Sequence, residues 1–143
     1  MNKMSVQKTI SITASLLCSL HTIAAPPLDP SKIDDKVTIT LGQKLTLQFQ
    51  AQGDSLKTPK IVEQPDQKQP SVTLDFDKHD DMLILHIKNG FSRTLQVRCL
   101  MHLKGQQAYP ETSILPIPGG LGDFESWRDP IDELILFDFK LTK

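Results

Sequence analysis

Apolar and polar residues alternate with a period of two through most of this chain. The pattern recurs in Val37, Ile39, Leu41; in Leu45, Leu47, Phe49; in Val72, Leu74, Phe76; and in Leu83, Leu85, Ile87. It returns from Leu95 to Leu103 and in Ile135, Phe137, Phe139, Leu141. Successive side chains of a strand point to opposite faces, so each run predicts a strand with one face buried. Thr38, Thr40, Thr46, Gln48, Thr73, Asp75, Thr94, Gln96 and Arg98 fill the alternate positions and suit a solvated face. No helix is predicted after the first 24 residues; the best helical turn runs from Pro130 to Leu134, entered from Asp129 as a cap.

Turn chemistry suggests how these strands connect. If Gly42 to Lys44 form a three-residue connection, Leu41 faces Leu45, Ile39 faces Leu47 and Val37 faces Phe49, with all six on one side. Asn89-Gly90 marks a second hairpin. A loop of Lys88, Asn89 and a left-handed Gly90 pairs Leu83 with Leu95 and keeps both apolar sets together. The stretch from Gln52 to Pro70 holds Pro59, Pro65 and Pro70, so only a short edge strand is expected there, between loops.

The N-terminus reads differently. Lys3 and Lys8 without an acid, an eleven-residue apolar stretch from Ile10 to Leu20, and small residues through Ala25 form the three parts of a secretory signal peptide. Cleavage after Ala24 places Thr22 and Ala24 at the small-residue positions; cleavage after Ala25 would leave Pro26 directly downstream. The apolar stretch covers only about half of a hydrocarbon layer, so the mature chain is expected to have no membrane span. Leu17 before Cys18 argues against lipidation. The expected organisation is a signal peptide over 1–24, a flexible Pro-rich leader over 25–35 and one domain over 36–143. The mature chain is then periplasmic or secreted.

Composition narrows the function classes. Of 143 residues, 38% are hydrophobic and 23% charged, which suits one globular domain. Sixteen basic against seventeen acidic residues give a net charge of −1; losing Lys3 and Lys8 moves it to −3. Neither value offers a footprint for nucleic acid. Cys99 is the single cysteine after residue 24, so no intrachain disulfide forms, and its place in an alternating apolar series predicts a buried thiol acting as a small hydrophobe.

VTITLGQKLTLQFQAQGD, Val37 to Asp54, resembles the first two strands of an immunoglobulin-like domain, in which a glycine turn precedes an alternating strand. The resemblance implies a single antiparallel β-sandwich of about seven strands. Phe49 stands about where that family's first disulfide cysteine falls, and no tryptophan lies in the middle strands, so an antibody-type domain is excluded.

Few residues suggest chemistry. His79, Asp80 and Asp81, with Asp75 and Asp77 nearby, form the densest group of possible metal ligands, but no glycine lets the loop fold back on an ion. His86 and His102 have no neighbour at zinc-ligand spacing and read as surface histidines. No nucleophile elbow, zinc-protease motif or phosphate loop is present. Asp123, Glu125 and Asp129 are nominal carboxylates for glycoside cleavage on a domain too small for a deep cleft. No catalytic residue, metal or cofactor is assigned.

Pro116 to Pro130, PIPGGLGDFESWRDP, is the segment that folding needs explain least. Phe124, Trp127 and Arg128 are of types enriched at binding hot spots. Trp127 and Phe124 either plug the end of the domain or stay exposed as a contact surface, and Arg128 has Glu125 and Asp129 as local ion-pair partners. The candidate partner-binding set is Tyr109, Leu121, Phe124, Glu125, Trp127 and Arg128. The expected function is an exported, non-enzymatic protein-binding module, such as an inhibitor or immunity protein or an accessory subunit of an envelope complex, whose partner is another exported protein. A structural subunit of a surface fibre and a small envelope hydrolase are the alternatives.

Overall fold

The computed structural model describes residues 25–143; the signal-peptide reading of residues 1–24 lies outside them. Nine strands follow in order: β1 (Val37–Thr40), β2 (Gln43–Gln52), β3 (Ser55–Ile61), β4 (Val72–His79), β5 (Met82–Asn89), β6 (Thr94–Leu103), β7 (Glu111–Thr112), β8 (Gly122–Trp127) and β9 (Ile131–Thr142). The all-β, antiparallel reading holds. Among the described residues no helix is long and apolar enough to cross a membrane. Their one helical segment is a 3-10 turn at Pro30–Lys32, capped by Asp29, whose carboxylate accepts from the Ser31 N–H at 2.9 Å. The turn expected at Pro130 to Leu134 is instead the start of β9.

The architecture departs from a two-leaved sandwich of seven strands. The strands form one sheet in the order β7-β6-β9-β3-β2-β4-β5-β8, with β1 also on β9, curled into a half-barrel. Two long strands cause this. Along β2, residues 43–47 pair with β4 and residues 47–52 with β3. Along β9, one edge carries β6 while the other carries β1 near Leu136 and β3 at Lys140. Each long strand thereby joins what would be separate leaves, and the right-handed twist of the strands turns the joined sheet around its own core.

The predicted inward faces are largely correct, whereas two predicted pairings are not. Val37, Ile39, Leu47, Leu74, Phe76 and Leu85 are buried in one cluster with Leu95, Val97 and Cys99. Yet β1 pairs with β9, setting Val37 against Leu136 and Ile39 against Leu134, and makes no ladder with β2. Gly42, at φ 89°, turns the chain so that its N–H reaches the Phe76 carbonyl at 2.7 Å. The hairpin expected at Asn89-Gly90 is also absent: β5 lies between β4 and β8, and β6 between β7 and β9. Gly90 is not left-handed; it is needed because a Cβ there would collide with the Ser71 backbone, whose carbonyl accepts from the Gly90 N–H.

Asn89 explains why the chain parts at this point. It is fully buried, and its Nδ2 donates to the carbonyls of Arg93, Ile117 and Pro118 at 2.8, 3.0 and 3.2 Å. Its Oδ1 accepts from the Phe91 N–H at 2.9 Å. One side chain thus adds to the Leu95–Ile117 bridge and the Gly120–Phe91 bond that hold two crossing segments together.

Three register shifts complete the frame, one where β2 meets β3 and two where β6 meets β9, at Gln96/Arg98 and at His102/Leu103. Between Gln96 and Arg98 the register on β9 slips from Lys140 to Phe137, with Asp138 at φ 53°. The slip reverses the parity of β9. Leu134, Leu136, Phe139 and Leu141 face the main core, while Ile135 and Phe137 point outward into a second cluster with Leu100, covered by Ile33 and Tyr109. The single alternating face expected from Ile135 to Leu141 is therefore split. β3 bulges at Thr58, a β-branched residue at φ 50°, where the Thr58 N–H finds the Asp35 carboxylate at 2.9 Å. The short strand expected in this region exists, and only its Ser55 end pairs with β9, which leaves Pro59 on the unpaired side.

Candidate functional site

β8 is a terminal strand of the sheet and pairs with β5 alone. Gly119 and Gly120 set the turn before it: the Gly120 N–H donates to the Phe91 carbonyl at 2.8 Å with φ 72°, and a Cβ at Gly119 would strike the Ser92 backbone. Along β8 the side chains alternate. Asp123, Glu125 and Trp127 are half-buried, while Phe124 and Ser126 are exposed.

Trp127 settles the choice between plug and contact surface for itself. Its ring meets Phe76 edge-on, with centroids 6.4 Å apart and planes at 87°, and its Nε1 donates to the Thr112 hydroxyl at 3.2 Å. Glu125 accepts from the Leu115 N–H at 2.9 Å. These two bonds link β8 to the segment around β7 at the other end of the sheet. The curl thus closes through side chains in place of a backbone ladder.

Phe124 takes the other role. It remains 60% exposed, Leu121 beside it 57% and Leu115 across the seam 62%. Register places Phe124 opposite His86, His86 opposite Asp75 and Asp75 opposite Lys44 in one row across the outer face. The His86 and Phe124 rings lie 5.9 Å apart, and the Lys44 ammonium stands 3.9 Å from Asp75. In the next row Gly122 faces Lys88 and supplies no side chain, which leaves a shallow depression of about 340 Å³ walled by Phe124, His86 and Lys88.

Arg128 is exposed and forms no ion pair among the described residues, so neither Glu125 nor Asp129 holds it. Tyr109 lies elsewhere, over the second cluster on the outer face of β6 and β9. Its hydroxyl donates to Glu133 at 3.3 Å, and burial together with the Glu133 charge pushes the phenol above its ordinary value.

His102 stands beside Tyr109, with ring centroids 4.9 Å apart, and is no ordinary surface histidine. Nδ1 lies 2.5 Å from the Asp132 carboxylate and Nε2 lies 2.7 Å from the Gln106 carbonyl. The hydrogen bond to Asp132 raises its pKa above the usual value, and the Gln106 carbonyl adds to this. Both nitrogens face acceptors, so the imidazolium is the form that satisfies both, and no lone pair is left for general-base work. Nearby, Arg98 grips Glu111 with two bonds of 2.8 and 2.9 Å and lies 4.9 Å from the centre of the Phe137 ring. That grip holds the Glu111 carboxyl below its ordinary range.

Among the described residues no group of three or more His, Cys, Asp or Glu side chains converges to hold a metal; His79, Asp80 and Asp81 lie exposed around the β4–β5 turn. His86 is the exposed strand histidine that the alternation predicts, whereas the paired state of His102 is not legible in the sequence. Strand register brings Phe124 to His86, and Asp132 reaches His102 from the position on β9 that the register shift between His102 and Leu103 skips, so residue type alone carried no signal for either contact. No family model, curated protein or solved structure matches this chain.

Proposed function

We propose that this chain is an exported, non-enzymatic protein-binding module whose contact surface is the outer face of β8 with the turn before it. The observation that carries the reading is the exposure of Phe124 and Leu121 on a strand whose backbone is pinned by β5 and whose neighbouring Trp127 is anchored in the core. Of the six large apolar side chains left exposed among the described residues, three belong to residues 115–124, which concentrates apolar surface beside the seam. An aromatic held rigidly in the open costs little ordering entropy on association and suits insertion into a partner's apolar pocket. The basic, apolar and small-residue order of residues 3–24 supports export, so the partner is another exported or envelope protein. Inhibition of an envelope hydrolase or toxin, or service as an accessory subunit, would both use such a surface.

Strand addition to β8, as in a fibre subunit, is the second reading, favoured by its terminal place in the sheet. That edge is blunted: Asp123 accepts from the Phe124 N–H at 2.8 Å, and the Glu125 side chain crosses the seam to Leu115. Crosslinking in the envelope fraction, followed by affinity measurement on the recovered partner, tests the module. Phe124→Ala and Leu121→Ala should each weaken binding by more than about 1 kcal/mol. Unchanged affinity in the double variant removes this surface from consideration, and concentration-dependent polymers in light scattering would favour the fibre reading.

A further inference from the structure

A second concave site lies apart from β8, where the curled sheet opens beside the β2–β3 hairpin. Phe49, Phe91 and Leu141 line a cleft of about 710 Å³, with Val62 and Pro70 beside them. That volume falls within the range of small-molecule sites. Phe49 is also packed inward, its ring 4.9 Å from Phe139 and 6.4 Å from Phe91, so the aromatic lining is fixed by the core.

Two polar side chains hold the rim in place. Gln48 donates to the carbonyls of Asp66 and Gln69 at 3.0 and 3.4 Å and accepts from the Asp66 N–H at 3.3 Å, which straps the loop after β3 beside the cleft. Asn89, through the Phe91 N–H and the Arg93 carbonyl, fixes the other side. A cleft held from both sides is formed before any ligand arrives.

The charged side chains that line it are basic, and the carboxylates at its rim are engaged, Asp54 with Arg93 and Asp35 with the Thr58 N–H. The chain carries seventeen acidic residues, yet no Asp or Glu lines this cleft, while Lys60 and Arg93 do. Arg93 is engaged, bonded to Asp54 at 2.7 Å and to the Leu141 carbonyl at 2.9 Å. Lys60 makes no ion pair among the described residues and is exposed. We propose that the cleft binds a small single-chain anionic amphiphile, its apolar body on Phe49, Phe91 and Leu141 and its head group at Lys60. A carboxylate or a phosphate ester supplies the same head-group chemistry.

Calorimetric titration of the purified protein with octanoate, octyl phosphate and octanol tests this. Saturable binding of one anion per chain, tighter than octanol, is expected, and the stronger of the two anions identifies the head group. On that anion, Gln69→Glu, which adds a carboxylate to the rim, should weaken binding about tenfold, and Lys60→Gln should weaken it by a smaller factor. Both positions are exposed, so folding is retained and is checked by circular dichroism. Methyl resonances of Val62 and Leu141 should shift on titration. The proposal is overturned if neither anion saturates below about 10 mM, if octanol binds as tightly as both, if neither variant changes affinity, or if the shifts appear around Phe124 instead.

Discussion

Trp127 of β8 stands edge-on to Phe76 of β4, two strands away across the sheet, and the same indole ties β8 to Thr112. The adjacent aromatic, Phe124, contributes nothing comparable to the core. Stability and binding should therefore separate at these two positions. Trp127→Ala should lower unfolding stability in urea by about 3 kcal/mol, as large-to-small changes at packed aromatics do. Phe124→Ala should stay within about 0.5 kcal/mol of the parent. Equal losses at both positions would mean that Phe124 is structural and that the β8 face is not free for a partner.

Asn89 is the other single residue on which the topology leans. Asn89→Leu would leave the Arg93 carbonyl and the Phe91 N–H without their partner in a buried place, costing about 3 kcal/mol, while the Ile117 and Pro118 carbonyls keep the Leu95 and Leu121 N–H groups. Asn89→Asp should cost more, because a carboxylate would then face three carbonyl oxygens. Urea midpoints decide the matter. A neutral Asn89→Leu would show that water or a local shift takes over those bonds.

The inward positions of most strands could be read from alternation alone, because period two follows from strand geometry whatever the neighbouring strand is. Val37 and Ile39 were placed correctly on the core side although their partner proved to be β9 and not β2. Partnership depends on sequence-distant pairing, which a short turn such as Leu41-Gly42 does not encode. The parity of Ile135 and Phe137 was lost for a local reason: the bulge at Asp138 inserts a residue that an unbroken alternation conceals. Asn89-Gly90 carried the sequence signature of a hairpin, and tertiary bonds of the asparagine overrode it. At the candidate site the residue types of Phe124 and Trp127 were visible, but their opposite fates depend on the face of β8 that each occupies.

Cys99 tests the closure of the core directly. Its thiol is fully buried, and burial pushes its pKa from 9.0 to about 12. The folded protein should react with iodoacetamide about a thousandfold more slowly than the urea-unfolded chain, since the thiolate is the reacting form. Rapid native labelling would mean that the strands around β6 open well below the global unfolding free energy.

His102 makes stability depend on pH in a definite direction. Asp132 and the Gln106 carbonyl both accept from the ring, and Asp132, followed by Glu133, adds a favourable field, so the folded-state pKa lies above the ordinary 6.5. Below 6.5 the ring is protonated folded and unfolded alike, and the stabilisation is fully present. Above it the unfolded chain releases its proton first, so the contribution shrinks as pH rises through the raised folded value. Urea midpoints should fall as pH rises above 6.5 and through the raised folded value. Amide exchange over residues 104–110, which the Gln106 bond clips to β6, should quicken over the same interval. His102→Gln, which cannot titrate, should remove this part of the slope, and Asp132→Asn should reduce it. A midpoint that rises with pH, or a slope unchanged in His102→Gln, would show that another group governs this range and that the His102–Asp132 bond does not hold the loop.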